Sequence, residues 1–180
     1  MRKLRLVALS LLAVGCVDFG DKDARVPGEE LGAYQVTAHL QESTCGPDAL
    51  GSADCWDFSV RLSREGPGLF WLNGYEVISG EVADDGVSFR FDTMVAVEID
   101  PAQGTHPGCT VHRTDSANGK LSSATMDVES FTGQLSYAYA AEQESDCTEL
   151  VGVPGGFSAL PCEMSYAIEG LRTELPEERE

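Results

Sequence analysis

Basic residues are scarce in this chain. Across 180 residues, 12 Lys and Arg stand against 30 Asp and Glu, a formal net charge of −18 at pH 7. Such a surface repels phosphate backbones and anionic headgroups, so nucleic acid is excluded as an expected partner. Long apolar runs are also missing. The one at residues 6–15 falls well short of the ~20 residues that a spanning helix needs, and no three-turn apolar helix stripe follows it. The Gly-x-Ser-x-Gly elbow of many hydrolases is missing, since Gly156-Phe157-Ser158-Ala159-Leu160 fails at its last position. No glycine pattern that could cradle a phosphate follows a strand. Together these absences leave no catalytic motif, and no cofactor is expected. Histidine is rare too. His106, Cys109 and His112 have a ligand-like spacing, but positions 109 and 112 of a strand point to opposite faces, so no metal is expected there.

What is present begins at the N-terminus. Arg2, Lys3 and Arg5 lead into the apolar run, and small residues precede Cys16. This is the layout of a cleavable export signal. Ala13-Val14-Gly15-Cys16 resembles the lipobox of bacterial lipoproteins. The resemblance covers residues 1–16 only. It implies a diacylglyceryl group on the Cys16 thiol, cleavage before Cys16, and a place in the cell envelope, with the membrane as a partner through the anchor. Residues 16–31, with Asp18, Asp21 and Asp23, read as a flexible acidic tether rather than a cation loop. Residues 173–180 read as a frayed acidic tail.

Residues 32–172 read as one β-domain. Tyr34, Val36, Ala38 and Leu40 alternate with Gln35, Thr37, His39 and Gln41. The same period of two recurs at Phe58-Val60-Leu62, Ala124-Met126-Val128, Phe131-Leu135-Tyr137-Tyr139 and Met164-Tyr166-Ile168. Weaker strands are expected at 69–72, 75–82, 87–92, 94–99 and 109–114. Gly66, Asn73-Gly74, Asp84-Asp85-Gly86 and Asn118-Gly119 read as turns between them. About eight to ten short strands with tight connections predict an all-β antiparallel meander, and short sequential hairpins favour a barrel over a two-sheet sandwich.

Six cysteines suit an oxidising compartment: Cys16, Cys45, Cys55, Cys109, Cys147 and Cys162. Lipidation of Cys16 would leave an odd number. Cys147 with Cys162 is the expected bond, because it would close the long connection before the last strand. Cys45 is expected to pair with Cys55 or with Cys109.

The segment Phe70-Trp71-Leu72-Asn73-Gly74-Tyr75 is the binding candidate. Neighbouring aromatics on a strand face opposite ways, so one of Phe70 and Trp71 is inside: an exposed Trp71 beside Tyr75 would form a contact surface, and an inward Trp71 would be core. Gly32-Ala33-Tyr34 on the first strand, with Arg172 on the last, resembles the lipocalin-type barrels. Tyr here takes the place of that family's Trp. The resemblance implies an eight-stranded barrel with a ligand mouth, closed by Tyr34 and Arg172. The sequence therefore favours a lipid-anchored, non-enzymatic binding module. A structural envelope component without a pocket is the alternative. A hydrolase would need His39, His106 or His112 gathered with carboxylates in a cleft.

Overall fold

The alternation that starts at Tyr34 is the inward face of a barrel stave. A computed structural model describes residues 26–47, 49, 54–105 and 107–173. Cys16, the export segment, Asp18, Asp21, Asp23, His106 and residues 174–180 lie outside them. Eight antiparallel strands follow in order: β1 (Glu29–Ser43), β2 (Cys55–Glu65), β3 (Gly68–Leu72), β4 (Val77–Val82), β5 (Ser88–Asp100), β6 (Cys109–Leu121), β7 (Ser130–Ala141) and β8 (Cys162–Thr173). Each pairs with the next, and β1 pairs with β8, so the meander closes into a barrel. The only helical piece among the described residues is the short turn Thr148–Leu150.

An up-and-down path sorts the connections to two ends. The links β2–β3, β4–β5 and β6–β7 lie at one end, here the base, with the start of β1 and the end of β8. The other four links lie at the opposite end. The base is filled by tilted aromatic rings. Phe131 meets Tyr34 at 5.4 Å, Trp71 at 5.8 Å and Phe89 at 5.9 Å between centroids, the offset geometry that ring quadrupoles favour. Tyr34 is fully buried, and its hydroxyl donates to the Val128 carbonyl at 2.7 Å. Burial pushes its pKa up to about 12. Tyr34 and Arg172 are cross-strand partners, and the Arg172 side chain lies over Gly32, where a Cβ would sit 2.9 Å from Nε and the φ of +139° disfavours any side chain.

Several boundaries differ from the sequence reading. β1 starts at Glu29, inside the supposed tether, because Leu31 is buried and Glu30 pairs with Arg61. Thr173 belongs to β8, where its hydroxyl donates to the Ala33 carbonyl. The segments 87–92 and 94–99 form one strand. Asn118-Gly119 is not a turn; it lies within β6, where Gly119 faces Gly133 so closely that a Cβ would sit 2.1 Å from the Thr132 oxygen. The expected strand around Ala124–Met126–Val128 is a loop. Its hydroxyls take up the backbone groups a ladder would need: Ser123 Oγ accepts from Thr125 N, and Ser122 Oγ accepts from Glu129 N and Ser130 N.

The disulfides correct the expected pairing on every count. Cys45 bonds to Cys162 and Cys109 to Cys147, and Cys55 is free and exposed. Cys147 therefore does not meet Cys162. The reason lies in how the loops pack. Ser145 Oγ accepts from Thr110 N, and Asp146 N donates to the Gly108 carbonyl, which lays Cys147 on the start of β6. Thr44 N donates to the Glu163 carbonyl, which brings Cys45 beside the start of β8.

Candidate functional site

The short β3–β4 hairpin leaves a window in the barrel wall. β2 is paired to β3 only from Arg61 to Glu65, and β5 to β4 only from Phe89 to Phe91. Above the hairpin the upper halves of β2 and β5 flank an opening into the interior. A cavity of about 280 Å³ lies behind it, bordered on the base side by Trp71 and Phe91.

Aromatic residues make its walls. Trp56 and Phe58 stack at 4.5 Å on the inward face of β2. Trp71 sits between Phe58 and Phe91, with centroids 6.2 and 5.5 Å away. Ile78, Leu135, Ala117 and Tyr137 complete the apolar lining. The indole N–H of Trp56 is buried and has no hydrogen-bond partner among the described residues.

One ion pair stands in this apolar setting. Arg113 and Asp115 are two apart on β6, so both point inward with Val111 and Ala117. Arg113 Nε and Nη2 each donate to Asp115 at 2.7 Å, a two-pronged bond that fixes the guanidinium plane. The guanidinium also lies over the Tyr137 ring, 5.7 Å from its centroid. Burial, with the Asp115 charge next to it, drives the Tyr137 pKa far above the usual phenol value. Burial would lower that of Arg113, but the bonds to Asp115 more than offset it and leave it raised. Both groups thus keep their ordinary protonation state. The pair is internally neutral, and among the described residues Nη1 of Arg113 has no bonded partner. The cavity therefore offers aromatic walls and one charged hydrogen-bond donor, with the Asp115 and Glu76 carboxylates also in its lining.

Trp71 lies here, as the inward one of the two neighbouring aromatics. It is 6% exposed and faces inward, while its neighbour Phe70 takes the outer face. The candidate anchor is a wall of the cavity. Tyr75 is 96% exposed at the rim, where Asn73 Oδ1 accepts from Tyr75 N and Glu76 N and shapes the turn. Sequence reading missed Trp56, Phe91, Arg113, Asp115 and Ala117. Extending the β6 alternation past residue 114 would have put Arg113, Asp115 and Ala117 on one inward face.

The two described histidines do not converge. His39 is on the outer face of β1, opposite Cys55. His112 is on the outer face of β6, with Nε2 3.6 Å from Glu142. Cys109 is spent in its disulfide, and no group of metal-ligating side chains occurs among the described residues. No family model matches the chain, and neither curated proteins nor solved structures yield a match.

Proposed function

We propose that this is an exported, lipid-anchored, non-enzymatic binding module that takes a small, flat, apolar molecule with one hydrogen-bond acceptor into the barrel. The observation that carries this reading is the aromatic cavity behind the window, with the Arg113–Asp115 pair set in its wall. Apolar walls supply affinity and a few placed polar groups fix orientation, which is the usual division of labour in small-molecule sites. Arg113 Nη1 would donate to the acceptor, and Trp56, Phe58 and Trp71 would cover the ring faces.

The test uses N-phenyl-1-naphthylamine, a neutral apolar fluorophore. Saturable binding with blue-shifted emission is expected. Filling the cavity by Ala117→Phe, or the rim by Thr93→Trp as a milder plug, should abolish it while the dichroism spectrum stays unchanged. Binding that is unsaturable, or that survives in both folded plugged variants, refutes the pocket and favours a structural envelope component.

The anchor rests on residues 1–16, and two disulfides suit the oxidising side of a membrane. Metabolic labelling with a radioactive fatty acid should mark the wild type and spare Cys16→Ser. Equal labelling of the two would remove the anchor from the proposal.

A further inference from the structure

The upper half of β5 is a strand with one neighbour. Its ladder to β4 stops at Phe91, whereas its ladder to β6 runs on to Asp100. Along residues 93–99 the side facing the window therefore presents a row of backbone N–H and C=O groups with no strand partner among the described residues. A free edge of this kind is a template for an added strand.

Its side chains are unusual for an edge. Met94, Val95, Val97 and Ile99 are 65%, 38%, 41% and 44% exposed, and they cover both faces of the strand. The charge around them has one sign. Residues 54–60, 73–80, 92–105 and 107–115 surround the window and contain a single Lys or Arg, which is Arg113. That residue is already held by Asp115. Asp54, Asp57, Glu76 and Glu98 stand in the same frame, with Asp92, which binds Arg90.

We infer that the free edge of β5 docks an extended polypeptide segment of another protein, with basic side chains interleaved among apolar ones. Backbone bonds to residues 93–99 supply the strand addition, the valines and Met94 receive the apolar side chains, and the acidic frame selects the basic ones. A second copy of this chain is a poor occupant. Pairing two copies along this edge would set one acidic frame against another, and such like-charge juxtaposition is costly. The edge meets the cavity rim at Thr93, and Glu76 borders both, but residues 94–99 lie outside the lining, so Val97→Lys tests this surface without touching the cavity.

The probe is a short, amidated, fluorescein-labelled peptide of alternating lysine and valine. Its control has the same side chains and charge but carries a methyl group on every backbone nitrogen. Anisotropy titration of the folded domain should show saturable binding of the first, tighter than the control by about ten-fold or more, because the control cannot donate backbone hydrogen bonds. Amide exchange should slow at residues 93–99 in the complex. Val97→Lys, at an exposed position, should weaken binding without changing the fold. Equal affinity for the two peptides would mean general charge attraction and overturn the inference, as would no binding or protection elsewhere. Sedimentation that shows a dimer protected at residues 93–99 without peptide would make the occupant a second copy and overturn it equally.

Discussion

Trp71→Ala is expected to lower the free energy of unfolding by about 3–5 kcal/mol, the range for removing a large aromatic from a packed interior. Trp71 meets Phe58, Phe91 and Phe131 and is paired in register with Leu62 and Ile78. Its loss would empty space between the cavity and the base. Tyr75→Ala, at the exposed turn, should change stability by no more than about 0.5 kcal/mol. Urea unfolding of both variants checks the contrast. A Trp71→Ala midpoint as close to wild type as that of Tyr75→Ala would show that the indole is not a wall of the interior.

Removal of the disulfides should cost as much. Cys45–Cys162 links residues 117 apart, and Cys109–Cys147 links residues 38 apart. Loop-closure entropy assigns the longer link about 5 kcal/mol and the shorter about 4 kcal/mol. Small domains have total stabilities of roughly 5–15 kcal/mol, so the double alanine variant of either pair should be strongly destabilised. Cys55→Ser, outside both bonds, should be nearly silent. Non-reducing peptide mapping should recover Cys45 with Cys162, and Cys109 with Cys147. A fragment joining Cys147 to Cys162 would contradict the loop packing described above.

Strand positions were legible because burial on one face writes itself as alternation. Tyr34, Val36 and Ala38 are all fully buried, as their phase requires. The barrel followed from short links between successive strands. The cavity did not follow, because a residue that lines a void and one that fills a core carry the same pattern. Phe58 and Val60 share one inward face of β2, yet the first borders open space and the second is packed. The side taken by Trp71 stayed open because two adjacent aromatics leave the phase of a five-residue strand undecided. The cysteine pairs were hidden for another reason. Each joins segments brought together by hydrogen bonds between a loop and a distant strand, such as Asp146 to Gly108, and proximity along the chain says nothing of these. Asn118-Gly119 misled because the dipeptide that favours a turn also suits two strands that approach without side chains between them.

Ala33 and Thr173 are cross-strand partners, so the first and last strands lie side by side at the base. Whatever holds the protein by one of these strand ends casts its steric shadow there. The shadow falls on the packed aromatic base. It does not fall on the opening above the β3–β4 hairpin, so the same fold could be moored from either side of its β1–β8 seam and leave that opening clear.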